Sequence, residues 1–240
     1  MRIVHTKAIV FGAIKYGDTS LIVKCFTQED GVKSYMVKGI LSSKKGKLKK
    51  AYFQPLTQLQ MVASHNTKNR LNTIKEARVF YSYNSIYNSI VKQTIVLFIS
   101  EILSNIIQEE EKNSALYTYI ETSLLWLDNH NEIANFHLVF LTNLLKFLGF
   151  YPDTSDMDKK VFNLAEGSFT DSEYKNLTLY DVELTLFKRI LGVNFDTINS
   201  ISLNKNERRI ILKTIIKYFE LHLEGFRKPK SLDILETVFN

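Results

Sequence analysis

The sequence predicts an α+β protein, in which a five-stranded β-barrel of the OB type is followed by a larger α-helical domain. Three observations lead to this prediction. Apolar and polar residues alternate with a period of two in the first part of the chain, the period changes to about 3.6 beyond Tyr83, and basic residues are concentrated before that point. We place the domains at residues 1–80 and 81–240, with an irregular loop or small subdomain at 152–177.

Five short runs in the N-terminal part are typical of strands. Residues 2–12 alternate strictly, and glycine-containing turn clusters precede the runs 21–26 and 32–39. A lysine-rich loop follows. The run 56–63 then supplies a fourth strand, and 71–80 forms a fifth strand or a strand that leads into a helix. Five short strands in this length fit a small closed or nearly closed OB barrel.

The remaining chain repeats its apolar residues at helical spacing. Gly149 and Pro152 end one helix, because glycine favours a left-handed cap and proline cannot continue the helix. Thr178 and Asp181 have the spacing of a capping box that opens another helix, which Gly192 closes. The helix that Gly149 and Pro152 end is 136–150. The other helical segments are 95–106, 116–127, 204–223 and 231–239.

The composition favours a cytoplasmic protein that folds without disulfides. Hydrophobic residues make up 45% and charged residues 23% of the chain, as in ordinary globular proteins. No apolar run reaches the ~18 residues of a membrane helix, and the first residues lack the pattern of a secretory signal. Cys25 is the only cysteine, which excludes an internal disulfide and a multi-cysteine zinc site and agrees with a reducing compartment.

Charge is divided unevenly along the chain. Residues 1–80 contain 15 lysines and arginines against 4 acidic residues, whereas residues 81–240 contain 16 against 21. A solubilising surface excess would be spread over the whole chain. The asymmetry therefore predicts a polyanionic partner for the first domain, and nucleic acid is the commonest such partner.

Lysines are densest in one polar loop, where six of them fall within thirteen residues and aromatic residues stand nearby. This combination suits phosphate binding together with stacking of unpaired bases, although rings in so small a barrel equally often fill its core. The candidate DNA-binding residues are Lys38, Lys44, Lys45, Lys47, Lys49 and Lys50, with an alternative path over Lys7, Lys24, Lys68 and Arg70; the candidate stacking rings are Tyr35, Tyr52 and Phe53.

No pattern for catalysis or for a cofactor is present. The segment from Gly39 to Gly46 superficially resembles a phosphate-binding loop, but it has six residues between its glycines and Leu48 where a metal-binding Ser or Thr belongs. The five histidines are scattered, and the acidic runs 109–111 and 153–158 lack the spacing of a metal site. We therefore predict no catalytic residues, no metal and no other cofactor.

Eight segments, taken in order, resemble the bacterial RecO family of DNA repair proteins and together extend over nearly the whole chain. They are TKAIVF (6–11), YGDTSLIV (16–23), VKGI (37–40), FQPL (53–56), LGFYP (148–152), NLAEGSF (163–169), HLEGFR (222–227) and KSLDIL (230–235). The resemblance implies an OB-fold followed by a helical domain.

The resemblance also implies a recombination mediator that binds single- and double-stranded DNA and anneals complementary strands without ATP. Such proteins work with RecR, and in some bacteria with RecF, to help RecA replace single-strand-binding protein on gapped DNA. Many relatives carry a four-cysteine zinc module in the region that matches 153–175. This chain has no cysteine there, so no structural zinc is expected.

Two other classes of function stay open at this stage, an RNA-binding or ribosome-associated OB protein and a metal-dependent nuclease, because OB surfaces serve several functions. A further hypothesis concerns the acidic C-terminal tail of single-strand-binding protein. The resemblance suggests this tail as a partner, and its candidate docking residues are two basic pairs on predicted helices: Lys188, Arg189, Arg208 and Arg209. The alternative is that these pairs belong to ordinary solvated helix faces.

Overall fold

The protein divides into two compact units in a computed structural model that describes residues 1–42, 48–66, 71–172 and 177–239. The first unit is Met1–Asn129 with Pro229–Ser231. The second unit is His130–Lys228 with Leu232–Asn240.

The first unit begins with a closed five-stranded barrel, which confirms the predicted fold class. Its strands follow the order β1-β2-β3-β5-β4, and β3 pairs with β5 in parallel through Tyr35 and Asn72, whereas the other pairs are antiparallel. This is the topology of an OB barrel. The strands are β1 (Arg2–Tyr16), β2 (Ser20–Thr27), β3 (Gly31–Val37), β4 (Gln58–His65) and β5 (Asn72–Tyr81).

β1 is longer than the sequence predicted, because it continues past residue 12 into a hairpin with β2. Its register shifts between Val10 and Gly12, which marks a β-bulge, and the hairpin closes at Tyr16 and Ser20. A bulge bends its strand and increases the local twist. β1 can therefore pair with β4 along its first half and with β2 along its second half.

The barrel interior is filled by inward-facing side chains of the strands and by the segment between β3 and β4. Cys25 is fully buried there, and burial raises the pKa of its thiol to about 12. Leu41, Leu48 and Tyr52 pack against this core from the connecting segment, which also holds a short 3-10 helix at Lys50–Phe53. The interior is thus a packed core and not a pore.

Two helices, α1 (Ile90–Ile106) and α2 (Ser114–Asn129), belong to the same compact unit as the barrel. Phe11 stacks on Phe26 with a centroid distance of 5.7 Å, and Phe26 lies 5.8 Å from the ring of Tyr117 in α2. The outer face around Phe11 of β1 and Phe26 of β2 is therefore buried under helices. For this reason the compact unit extends beyond residue 80, where the sequence places the end of the first domain.

The second unit contains four helices and a small sheet among its described residues. The helices are α3 (Phe136–Leu148), α4 (Asp181–Ile190), α5 (Lys205–His222) and α6 (Leu232–Val238). Between α3 and α4 lie β6 (Val161–Asn163), β7 (Ser168–Thr170) and β8 (Thr178–Leu179), in the sheet order β7-β6-β8. The segment 152–177, expected to be an irregular loop or a subdomain, thus contributes two strands of a three-stranded sheet.

The predicted capping box at Thr178 is wrong. Thr178 lies in β8, and α4 starts at Asp181 after Tyr180, whose side chain makes no capping hydrogen bond. A complete capping box is present at α5 instead. The Asn204 side chain accepts from the Glu207 amide at 3.0 Å, and the Glu207 carboxylate accepts from the Asn204 amide at 2.7 Å.

Candidate nucleic-acid interface

One end of the barrel carries exposed lysines. We call it the hairpin end; it consists of residues 15–20 of the β1–β2 hairpin and the described residues of the segment 38–53. The Leu41 amide donates to the Thr19 carbonyl at 2.9 Å and so joins the two parts. Four lysines there are exposed and have no ion-pair partner among the described residues: Lys15, Lys38, Lys49 and Lys50. Unpaired lysines on short connections are suited to contact phosphates.

Half of the predicted DNA-binding residues lie outside the described residues, namely Lys44, Lys45, Lys47, Lys68 and Arg70. Leu41 and Leu48, on either side of the first three, both pack against the barrel core. The described residues on both sides of this gap therefore lie at the hairpin end.

Two of the three predicted stacking rings are core residues. Tyr35 is fully buried, and its hydroxyl lies 2.9 Å from Nε2 of His65. Phe53 is only 4% exposed in the same core. Neither ring offers a face to a base, which corrects the expectation for both, because strand alternation and the 3-10 helix direct them inward. Tyr52 is partly buried against the same core.

The hairpin presents an aromatic ring that sequence reasoning missed. Tyr16 is 53% exposed at the end of β1, and Ile14 on the same strand is 65% exposed. Lys15 lies between them. The sequence signal was present, since the alternation of β1 can be continued through these residues, but the predicted first strand ends at residue 12. Loops that follow the first strand of an OB barrel are a common place for oligonucleotide contacts.

The alternative path is only partly available. The Lys24 ammonium donates to the Ser104 carbonyl of α1 at 2.5 Å, and burial lowers its pKa. The Lys24 ammonium therefore already has a hydrogen-bond acceptor in the last turn of α1. Lys7 lies 3.3 Å from a carboxylate oxygen of Glu121 and 3.8 Å from the ring centroid of Phe80, on another face of the barrel.

The end of the barrel at the start of β1 is neutralised by acidic residues. Arg2 pairs with Asp30, and Lys33 lies 2.5 Å from a carboxylate oxygen of Glu110. The Val32 amide donates to the Glu109 carbonyl at 2.9 Å, so the acidic run after α1 is held against β3. Gly31 has a φ of +61°, and a Cβ there would lie 2.6 Å from the same carbonyl oxygen. This end of the barrel therefore carries less unpaired positive charge than the hairpin end.

The described residues contain no group of three or more His, Cys, Asp or Glu side chains that could hold a metal ion. Within those same ranges, no helix is both long and apolar enough to cross a membrane.

Of the two basic pairs in the second unit, the first is engaged within the protein. The Lys188 ammonium donates to the Lys159 carbonyl at 2.8 Å and lies 5.2 Å from the ring of Phe169. Arg189 lies 3.3 Å from a carboxylate oxygen of Glu207 and also donates to the Ser202 carbonyl. Both side chains are therefore held by contacts within the second unit.

The second pair lines a cleft between α3, α5 and α6. Arg208 donates to the Leu203 carbonyl, yet its Nε is buried without a hydrogen-bond partner among the described residues. Nδ1 of His137 is likewise buried without one, and burial together with the charge of Arg208 lowers the pKa of His137 to about 3. The cleft is lined by His137, Lys205, Arg208, Arg209, Leu212, Leu235, Glu236 and Phe239. Nε of Arg209 lies 3.8 Å from a carboxylate oxygen of Glu236, so the cleft combines cations, one carboxylate, unsatisfied polar atoms and buried apolar residues.

Comparison with known proteins gives matches along the whole chain. Residues 1–83 match a family model described as "Recombination protein O N terminal", and residues 87–233 match one described as "Recombination protein O C terminal". A DNA repair protein RecO of Flavobacterium psychrophilum is 49% identical over 237 residues, which cover 99% of each chain. Proteins of the same name from Christiangramia forsetii and Bacteroides fragilis are 44% and 36% identical, over 99% and 98% of each chain.

Proposed function

The chain belongs to the RecO family of DNA repair proteins, and from this premise we propose that it is a non-enzymatic recombination mediator. It binds single- and double-stranded DNA through its barrel. It anneals complementary single strands and helps load recombinase onto strands that single-strand-binding protein coats.

The observation that supports this proposal most directly is the set of exposed lysines at the hairpin end, where Lys38, Lys49 and Lys50 lack ion-pair partners among the described residues. Annealing brings two polyanions together, so something must offset their repulsion while the base edges stay free to pair. Lysine ammonium groups act as point charges on flexible stems and hold a phosphate without rigid geometry. They can therefore neutralise the backbone of either strand without reading its sequence.

The proposed contact surface is the whole lysine-rich stretch together with the exposed ring of Tyr16. Lys44, Lys45 and Lys47 are part of the proposal, although they lie outside the described residues. Tyr16 takes the place of the buried rings as the base-stacking candidate, since an exposed tyrosine accepts any base on its π-face.

Two protein partners complete the proposal. RecR follows from the family resemblance alone. The C-terminal tail of single-strand-binding protein is acidic and ends in an apolar residue, so it matches the cleft that contains Arg208 and Arg209: the carboxylates meet the cations, and the apolar end meets Leu212 and Phe239. We place this activity in the cytoplasm, where a lone reduced cysteine is expected.

An annealing assay tests the proposal. Complementary oligonucleotides are coated separately with single-strand-binding protein and mixed without nucleotide or metal, and duplex formation is followed by fluorescence transfer. The protein should accelerate annealing strongly over the coated strands alone. No acceleration would overturn the proposal. Cleavage of a labelled strand when Mg²⁺ is added would indicate a nuclease, and a clear preference for structured RNA over single-stranded DNA would indicate an RNA-binding OB protein.

A further inference from the structure

The outer face of β1, β4 and β5 is an exposed sheet surface, in contrast to the face of β1 and β2 that α1 and α2 cover. Cross-strand pairing places Lys7, Gln60 and Arg78 in one row across the three strands. His5 pairs with Val62 in the next row. Each of these five side chains is exposed or partly exposed. An accessible sheet face can bind single-stranded nucleic acid where it combines cations with an aromatic ring on which a base can stack.

Two β-bulges in β5 project additional side chains from this strand. Gln58 pairs with Tyr81 and Leu59 with Val79, so Phe80 is an extra residue without a partner. Val62 pairs with Glu76 and Ala63 with Ile74, so Lys75 is a second extra residue. Both extra residues are exposed, and the ring of Phe80 is 45% exposed. Bulges re-aim side chains and occur at barrel rims and beside functional sites.

The side chains around Phe80 are held in place before any ligand arrives. The Lys7 ammonium lies 3.8 Å from the centroid of the Phe80 ring, which is the geometry of a cation–π contact. Lys7 is itself held by Glu121 at 3.3 Å. One face of the ring is therefore occupied, and the ring is oriented with part of its surface open to solvent.

Arg78 is oriented in a similar way. Its Nε and Nη2 donate to the same oxygen of Gln60, at 3.1 Å and 2.6 Å. A guanidinium has five N–H donors, so this contact orients the group and leaves most donors free for a phosphate. Arg78 and Lys75 have no ion-pair partner among the described residues, although Glu76 lies between them on the strand.

We infer that this face is a second contact surface for single-stranded DNA, with Phe80 as a stacking platform for a base and Arg78 and Lys75 as phosphate contacts. The inference rests on the proposed function, since it assigns a further site for the same ligand. Charge complementarity favours a polyanion, because the free charges of the surface are two cations against the single carboxylate of Glu76. A second contact surface on the barrel would let the protein hold an extended stretch of one strand.

The test measures binding of a single-stranded oligonucleotide that contains 2-aminopurine, whose fluorescence reports stacking. We expect Phe80→Ala to weaken binding about tenfold, which corresponds to ~1.4 kcal/mol, because a base can no longer stack on the ring. It should change the 2-aminopurine signal and leave the salt dependence unchanged. Phe80→Leu, which keeps an apolar side chain over Lys7, should abolish the stacking signal in the same way.

Replacing Lys75 and Arg78 should change the salt dependence of binding instead of base stacking. The variant with Lys75→Gln and Arg78→Gln should flatten the log–log salt slope by roughly 0.7 for each phosphate that the protein no longer neutralises, with the 2-aminopurine signal largely retained. Tyr180→Ala is the matched control, since Tyr180 is an aromatic residue of the second unit that is 58% exposed.

Three results would decide against the inference. If the Phe80 variants and the double variant fold and bind with wild-type affinity and salt slope, the face is not a DNA-binding surface, and the proposed function stands. If Tyr180→Ala weakens binding as much as Phe80→Ala, the effect is not specific to this face. If the wild-type protein binds no single strand at all, the proposed function fails and this inference fails with it.

Discussion

The carboxylate of Asp128, at the end of α2, accepts a hydrogen bond from the Ser85 amide at 2.8 Å, and the Ser85 hydroxyl donates to the Asp128 carbonyl at 2.5 Å. The same carboxylate accepts from the amides of Asn84 and Ile86 at 2.9 Å and 3.0 Å. The Lys92 ammonium donates to the Ser85 hydroxyl at 2.6 Å. These bonds tie the segment that leaves β5 to the two helices that cover the barrel.

We predict that Asp128→Asn lowers the free energy of unfolding by about 1.5–3 kcal/mol at pH 7, because the variant cannot form the charge-assisted hydrogen bonds. Burial acts to raise the pKa of Asp128, but the three backbone amides outweigh it and hold the pKa below its usual value. The stabilisation is therefore present above the unfolded-state pKa of ~3.9 and disappears as the pH falls through the folded-state pKa.

Urea unfolding at several pH values checks this prediction. The difference between wild type and Asp128→Asn should be full at neutral pH and shrink below pH ~4. Equal stabilities at pH 7 would show that the carboxylate contributes little to joining the barrel and the helices.

The exposed and the buried tyrosine of the barrel should behave in opposite ways. Tyr16→Ala should weaken binding of single-stranded DNA and leave the melting temperature nearly unchanged, because its ring is 53% exposed. Tyr35→Phe should cost about 1 kcal/mol of stability through loss of the hydrogen bond to His65, with no change in binding. Fluorescence anisotropy and thermal unfolding measure the two effects. Stronger dependence of binding on Tyr35 than on Tyr16 would refute this assignment.

The two basic pairs of the second unit should differ in their effect on the tail peptide of single-strand-binding protein. Replacing Arg208 and Arg209 by Ala should weaken peptide binding at least tenfold, because both line the cleft. Replacing Lys188 and Arg189 by Ala serves as the matched control and should leave the affinity unchanged, since neither residue lines the cleft. Calorimetric titration gives the affinities. If a variant that lacks all four basic side chains binds the peptide like wild type, the tail docks at another site.

The purified protein should contain no stoichiometric zinc and keep its fold in a strong chelator. This expectation rests on the sequence, because a structural zinc site normally needs four Cys or His ligands and Cys25 is the only cysteine. Elemental analysis and a melting curve with and without chelator measure it. About one zinc per chain, or a lower melting temperature in chelator, would count against it.

The sequence was sufficient for the architecture, because period-two alternation and the later helical period depend only on local residue order. Local patterns were less informative where the partner of a side chain is distant in the chain. Thr178 has the spacing of a helix cap, but it lies in β8, where it pairs with Asn163 of β6.

The sequence predicted the positive charge of the candidate site but not which side chains are exposed there. A dense lysine run predicts a polyanion-binding region from composition alone. Whether a ring points inward or outward depends on barrel closure, so the sequence left open whether Tyr35 stacks on bases or fills the core, and Tyr16 was missed. The bulge that projects Phe80 depends on the register between β4 and β5, which no local pattern in β5 reveals.

The most direct test of the account is the salt dependence of single-stranded DNA binding after Lys44, Lys45, Lys47, Lys49 and Lys50 are replaced by Gln. The control variant carries the same substitution at five lysines outside the barrel, Lys160, Lys213, Lys217, Lys228 and Lys230, so that both have the same net charge. The first variant should fold normally, bind all sequences more weakly, and show a log–log slope flatter by roughly 0.7 for each phosphate that it no longer neutralises, while the control binds nearly as the wild type does. If the first variant folds and keeps both its affinity and its salt slope, the lysine-rich segment is only a solubilising surface and the central claim is wrong.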